Sequence, residues 1–289
     1  MAGILRGLTT LIRMNPSPTA SCIAFVGGGH MAVALIGGLL RAGRPAQSIV
    51  VIEPFEAQRA RLAQDFGVLA QANADARLAR ADTVVWAVKP QLFRAAAGPC
   101  APFVAQALQL SVMAGIRSGS LVQASGSARV VRAMPNTPAL IGRGMAGLYA
   151  RPGVSSEERA DIEALLAPTG ALMWFEQEAD LDAVTALSGS GPAYVFYVLE
   201  AMIEAATGMG LTAAQGRALA LATFDGAAEL ARRSTEPPET LRAQVTSKGG
   251  ATHEALSSLE ADGVKPAFVK ALKAAQQRAH ELGDEFGAG

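Results

Sequence analysis

The chain has 289 residues, 50% of them hydrophobic and 17% charged, with 25 Lys and Arg against 25 Asp and Glu. That length points to two domains, and that apolar content excludes wholesale disorder. A net charge of zero lacks the basic excess of a nucleic-acid binder, and no apolar run reaches the ~18 residues of a membrane span, so neither partner is expected.

Residues 1–20 carry Arg6 and Arg13 and no acid. They read as a disordered extension, with Met14 as a second candidate start; a weak targeting peptide is the alternative. From residue 23 short apolar runs alternate with helical stretches. Strands are predicted at 23–26, 49–52, 83–88, 108–113 and 130–133, with helices at 31–41 and 56–66. Runs of Val, Ile, Leu and Ala this short suit strands buried on both faces, and their alternation with helices implies a parallel sheet. Segments 145–150 and 171–175 complete the sheet around a helix opened by a Ser155/Glu158 capping box and closed by Pro168.

Beyond residue 178 no strand is predicted. A long apolar helical stretch covers 181–209, interrupted near its start by Ser188-Gly189-Ser190-Gly191-Pro192. Thr212 and Gln215 form a second capping box, opening a helix to about residue 233, and further helices are expected at 239–245, 252–260 and 266–283. The stretch 194–206 is mostly apolar, more than a small helical domain can cover, so a second copy is expected against it.

Cys22 and Cys100 form neither a disulfide framework nor a metal-ligand spacing, and His30, His253 and His280 build no zinc pattern. No metal is expected, and a reducing, cytoplasmic compartment fits. The strongest local signal is Phe25-Val26-Gly27-Gly28-Gly29-His30-Met31-Ala32: a strand, then G-x-G-x-x-A, then a helix. Gly27 permits a tight turn, Gly29 lets backbone approach a pyrophosphate, and Ala32 keeps the helix close to the strand. Glu53 ends the second strand 24 residues after Gly29, where an acid accepts hydrogen bonds from the adenosine ribose. That placement favours NAD, but Arg59 and Arg61 follow and could meet a 2′-phosphate, so NADH and NADPH both stand. Lys89, Gly115 and the Asn136-Thr137 pair end three further strands on the same rim, with Pro90, Pro135 and Pro138 fixing the turns.

With these residues in hand, the chain resembles pyrroline-5-carboxylate reductase over residues 21–284. The resemblance rests on the glycine turn, Ala87-Val88-Lys89-Pro90-Gln91, Met134-Pro135-Asn136-Thr137-Pro138-Ala139, Ser188-Gly189-Ser190-Gly191-Pro192-Ala193-Tyr194 and Thr246-Ser247-Lys248-Gly249-Gly250-Ala251-Thr252. The glycine turn is common to many dehydrogenases; the last three segments, in this order, are specific. The resemblance implies an α/β fold, with a Rossmann-type dinucleotide-binding domain at 21–178 followed by an all-helical dimerisation domain at 179–289. It implies hydride transfer from NADPH or NADH to 1-pyrroline-5-carboxylate, giving L-proline, in a homodimer that can form rings of dimers. By similarity Gly27, Gly28, Gly29, His30, Met31 and Ala32 hold the pyrophosphate. Ala87, Val88, Lys89, Pro90, Met113, Ala114 and Gly115 hold the nicotinamide half, with Asn136 on the same rim, and Asn73 lies on the adenine side. Ser247, Gly249, Gly250, Ala251 and Thr252 hold the substrate, with Thr252 as the catalytic residue. Lys248 stands where proline is common, and either adds charge near the substrate carboxylate or points into solvent.

The residues of the 247–252 loop fit that chemistry. Two glycines expose N–H groups, a helix is predicted to start at Thr252, and a carboxylate can dock at such a terminus. The Thr252 hydroxyl can bond the imine nitrogen or serve as an ordinary N-cap. His253 reads as a helix residue without a catalytic role. A β-hydroxyacid dehydrogenase, the nearest rival, needs a lysine on the interdomain helix, and residues 188–208 contain neither Lys nor Asn. A non-catalytic dinucleotide sensor would need no 247–252 loop.

Overall fold

The computed structural model describes residues 21–287, so the extension expected at 1–20 lies outside the described residues. β1 (Ile23–Val26) leads through the glycine turn into α1 (His30–Arg41), then β2 (Ile49–Ile52), α2 (Glu56–Phe66) and β3 (Ala70–Gln71). β4 (Thr83–Trp86), α3 (Phe93–Val104), β5 (Leu108–Ser111), α4 (Ser118–Ser125) and β6 (Val130–Met134) follow. β7 (Gly144–Ala150), α5 (Ser156–Leu166) and β8 (Gly170–Trp174) complete the sheet.

The eight strands lie in the order β3-β2-β1-β4-β5-β6-β7-β8, parallel except for the antiparallel β6–β7 pair. The first six strands have the 3-2-1-4-5-6 order of a doubly wound dinucleotide fold. Their direction of winding reverses between β1 and β4, and ligands bind at the carboxyl ends of strands flanking such a reversal.

The strand pleat divides the core. Phe25, Val85 and Leu110 point to one face, where Leu35 and Ile36 of α1 and Leu166 of α5 cover them. Ala24, Val26, Val84 and Trp86 point to the other, under Phe93 and Cys100 of α3 and Leu121 of α4. α1 buries Ala32, Leu35, Ile36 and Leu39, the spacing of one helical face. α2 ends on Gly67 at φ 64°, a left-handed C-terminal residue that favours glycine.

Four elements depart from expectation. β4 and β5 stop at Trp86 and Ser111, two residues short of the predicted ends: Ala87 and Val112 make a last N–H bond to Val26 and Trp86, and the chain then turns out at Val88 and Met113 to form the rim. β3 was not foreseen, since two residues carry no pattern. α3 was not marked either: Pro99 and Pro102 lie inside it. Burial of Phe93, Ala97, Cys100 and Val104 along one face outweighs the backbone hydrogen bonds the prolines forgo.

Among the described residues no strand follows β8. α6 (Asp180–Val184) runs into a π-helical turn at Thr185–Gly189 and on into α7 (Gly191–Gly208). The Ser-Gly-Ser-Gly segment therefore widens the helix rather than ending it. A Cβ on Gly189 would lie 2.6 Å from the Met134 methyl, so glycine lets this turn rest on β6. α8 (Ala213–Arg233) has the expected capping box at Thr212 and packs on α7, where a Cβ on Gly216 would come within 2.7 Å of the Ala206 methyl. α9 (Pro238–Gln244), α10 (Ala251–Ala261) and α11 (Val264–Gly287) follow.

α11 returns to the sheet. Its Leu282 and Phe286 lie over Gly115, and His280 Nδ1 stands 3.2 Å from both Asp182 and Arg117. Arg117 also pairs with Asp182 at 3.1 Å. Beside this cluster Glu178 accepts from the Ser118 N–H at 2.6 Å, from its hydroxyl at 2.5 Å and from Arg132 at 2.8 Å. A carboxylate at the N-terminus of α4 meets the positive end of that helix. The connection from sheet to helices is thus tied by polar contacts to the β5 and β6 ends.

Candidate active site

The glycine turn closes by two main-chain bonds to its neighbours: Gly27 N–H to the Ile52 carbonyl at 2.8 Å, and Ala87 N–H to the Val26 carbonyl at 2.9 Å. Gly27 has φ 99°, and a Cβ there would stand 2.7 Å from the Ala87 carbonyl oxygen. Gly29 differs: a Cβ on it meets nothing within 4 Å. Val33 N–H makes the first helical bond, to the Gly29 carbonyl at 2.9 Å, so the N–H groups of His30, Met31 and Ala32 precede the α1 ladder. Open space before a helix N-terminus fits a dinucleotide pyrophosphate. Ala32 is fully buried against the sheet, as its place in the motif requires, while His30 is exposed and Met31 half-buried.

Glu53 is buried at the end of β2. One carboxylate oxygen accepts from the Gly28 N–H at 2.8 Å and the other from the Phe55 N–H at 2.9 Å. Gln58 on α2 donates to the Gly28 carbonyl. The β2–α2 turn therefore holds the middle glycine from both sides. The sequence carries no signal for Gln58 beyond its place in the first turns of α2, and this contact was missed. Arg59 donates to the Glu53 and Pro54 carbonyls at 3.0 and 2.7 Å, and Arg61 pairs with Asp65 at 3.3 Å.

The rim residues fall as the parallel sheet dictates. Ala87 and Val88 are half-buried against Gly27, Lys89 is exposed and Pro90 starts a short 3-10 turn. Met113 is buried, its N–H donating to the Ser111 hydroxyl at 3.2 Å, and Ala114 and Gly115 are partly covered. Gly115 takes φ 73° beneath Leu282 and Phe286, so the C-terminal helix, unforeseen here, backs this loop. Asn73 is exposed just beyond β3, on the β2 side of the sheet. Asn136 needs reinterpretation. Its amide donates to the Ser188 carbonyl at 3.1 Å and accepts from the Met145 N–H at 3.0 Å, so the side chain turns inward and stitches β7 to the π turn.

The second loop is built differently from its prediction. α10 begins at Ala251 with Gly250 as N-cap, so Thr252 lies inside the first turn rather than capping it. Gly250 has no side chain to cap with, and Gly249 takes φ 74°. The first helical bond runs from Glu254 N–H to the Gly250 carbonyl at 3.1 Å, leaving the N–H groups of Ala251, Thr252 and His253 ahead of it. Ser247, Lys248, Gly249, Ala251 and Thr252 are all exposed, and α10 packs on α11. This chain's own sheet does not cover the loop. His253 is turned to its own helix, 3.7 Å from Glu254. Burial raises the thiols of Cys22 and Cys100, the latter to about 11, which suits inert cysteines rather than nucleophiles.

Fold and site together define a dinucleotide-dependent oxidoreductase with a helical second half. The family profile described as pyrroline-5-carboxylate reductase dimerisation matches residues 178–282, and that described as NADP oxidoreductase, coenzyme F420-dependent, matches residues 22–115. A pyrroline-5-carboxylate reductase of Pseudomonas aeruginosa is 43% identical over 92% of this chain and 98% of its own. The structure of such a reductase from Coxiella burnetii superposes with a TM-score of 0.83 at 34% identity, covering 91% of this chain and 99% of that one. A pyrroline carboxylate reductase of Plasmodium falciparum, solved with NADP bound, gives 0.82 at 28% identity, covering 91% and 98%. The chain belongs to the pyrroline-5-carboxylate reductase family, and is an NAD(P)H-dependent oxidoreductase.

Proposed function

We propose that the chain reduces 1-pyrroline-5-carboxylate to L-proline, the last step of proline biosynthesis, in the cytoplasm. The observation that carries this reading is the 247–252 loop: an exposed threonine hydroxyl not spent on capping, beside unsatisfied N–H groups at the start of an 11-residue helix. Family membership supplies the substrate, and two free cysteines are compatible with the compartment.

Reduction of a C=N bond adds a hydride to carbon and a proton to nitrogen. Reduced nicotinamide, when bound, supplies the hydride. Gly27, Gly28, Gly29, His30, Met31 and Ala32 would hold its pyrophosphate. Ala87, Val88, Lys89, Pro90, Met113, Ala114 and Gly115 would shape the nicotinamide side, with Asn136 bracing that rim, while Glu53 and Asn73 serve the adenosine half. Ser247, Gly249 and Ala251 would offer main-chain and hydroxyl donors to the substrate carboxylate, assisted by the α10 dipole, while Gly250, whose N–H bonds the Ser247 carbonyl at 3.0 Å, would close the loop around it. Thr252 Oγ bonds the imine nitrogen and keeps its proton in place, which makes the imine carbon more electrophilic. The loop contains no strong base, and imine reduction requires none. Most of the rate enhancement then comes from orientation.

The domains we assign are 21–178 for the dinucleotide and 179–289 for pairing and substrate. The unit is a homodimer, in which the exposed loop of one subunit meets the cofactor of its partner, and rings of dimers are the larger assembly. Exposed Phe196 and Tyr197 on α7 support pairing there. Thr252→Ala tests the mechanism: kcat for imine reduction falls about a hundredfold or more while cofactor binding is retained. Unchanged turnover would remove Thr252 from the mechanism.

A further inference from the structure

We propose that Gly283 and Arg117 are positioning residues for hydride transfer: through them the end of α11 clamps the 113–115 loop and fixes where the nicotinamide ring sits. The inference rests on the reading above, that this loop shapes the nicotinamide side.

The clamp closes at two adjacent points. At the first, α11 lies directly on the loop. Gly115 takes φ 73°, and a Cβ on it would stand 3.1 Å from the Phe286 ring and 3.3 Å from the Leu282 Cβ. Leu282 and Phe286 are one helical turn apart, so they share a face of α11 and cover the loop together. At the second point, the helix rests on the side chain that ends the loop. Gly283 is buried, and a Cβ on it would lie 2.4 Å from Nε, 2.5 Å from Nη2 and 2.6 Å from Cζ of Arg117. Alanine is the better helix former inside this 24-residue helix, so helix geometry gives no reason for glycine here. The guanidinium does, because it occupies the space a side chain would need. Nor can it simply give way. Both of its terminal nitrogens donate to Asp182, at 3.3 and 3.1 Å, and Nη2 also reaches the His280 carbonyl at 3.4 Å. Asp182 is buried, and a buried carboxylate that loses its cation is strongly destabilising. Arg117 follows the loop directly and is the last residue before α4, so force applied to it moves the loop. Hydride transfer needs reacting atoms held about 3–3.5 Å apart, so small displacements of that loop change the rate.

The test uses the full-length Gly283→Ala protein and the cofactor, NADH or NADPH, that gives the wild type its lower KM. In a single turnover with enzyme in excess over cofactor, the rate of nicotinamide oxidation by the imine should fall about tenfold or more, at full amplitude. Affinity for the matching ADP-ribose fragment, which lacks the nicotinamide, and KM for the imine should each stay within about twofold. A merely structural role would lower the amplitude, or the fragment affinity, and leave the rate alone. Phe286→Ala removes the cover from Gly115 without introducing a clash, and should lower the same rate about threefold or more. It decides the question if Gly283→Ala does not fold. An unchanged single-turnover rate, or a loss confined to amplitude or fragment affinity, would overturn the proposal while leaving the reductase reading intact. Absence of turnover by the wild type on either cofactor would overturn both.

Discussion

At the scale of single residues, the site depends on backbone that only particular side chains permit. Gly27→Ala is the sharpest case. A β-carbon must adopt φ 99° and meet the Ala87 carbonyl oxygen at 2.7 Å. The conformation alone costs about 1–2 kcal/mol, and the clash moves the β4 end away from β1 and opens the glycine turn between them. NADH affinity, read by fluorescence titration, should fall by more than about tenfold. A variant that binds NADH as well as the wild type would show that the turn tolerates displacement. The same substitution at Gly29 is sterically free, so the two glycines have different reasons to be glycine. The tight turn at Gly27 was legible in the sequence pattern, because it follows from a local strand–turn–helix geometry. The pattern could not show what holds Gly28, since Glu53 and Gln58 reach it from 25 and 30 residues away.

At the scale of elements, β1, α1 and the capped helices were legible because each is specified by its own residues: a short apolar run, a 3.6-residue face, a Ser or Thr answered three positions later. β3 is too short to carry a pattern. α3 contradicts its local propensity through Pro99 and Pro102, and only the sheet beneath it explains why it forms. The polar junction between sheet and helices was likewise invisible, because Arg117, Asp182 and His280 are 65 and 98 residues apart in their contacts. Its neighbour Glu178 gives a testable consequence. Burial works to raise that carboxyl, but hydrogen bonds from the Ser118 hydroxyl and N–H, with Arg132 close by, outweigh it and hold it below the usual glutamate range. Burial draws the Arg132 guanidinium down in turn, which points the other way about the worth of the pair. Arginine stays charged at any pH the fold survives, so the carboxylate decides the pH dependence. A depressed folded value means that the stabilisation is full above the ordinary glutamate range and is lost as pH falls through the folded value. Glu178→Gln should therefore lower stability at neutral pH by about 2–3 kcal/mol, toward the low end for a buried pair because Glu178 stays 22% exposed. It should also flatten the melting temperature between roughly pH 6 and pH 3. An unaltered acid limb of the melting curve would remove Glu178 from the acid response.

At the scale of the whole molecule, the single chain leaves its most apolar helix uncovered. Only Leu199 and Ala206 of α7 are buried, while Phe196 is 58% and Tyr197 75% exposed. So much exposed apolar surface calls for cover, and residues 178–282 match a family profile described as a dimerisation domain. Replacing Phe196 and Tyr197 together by Asp should shift the protein from dimer to monomer in sedimentation and abolish turnover, because the 247–252 loop then has no partner cofactor to meet. A fully active monomer would refute the shared site. The exposure of that loop on the single chain carries no signal in the sequence, since it depends on how α10 and α11 pack rather than on the loop's own residues.

Imine reduction by a nicotinamide cofactor is tested by steady-state reduction of 1-pyrroline-5-carboxylate with NADH and NADPH assayed in parallel. The predicted result is proline formation with stoichiometric oxidation of the cofactor. Absence of turnover with both cofactors would contradict it.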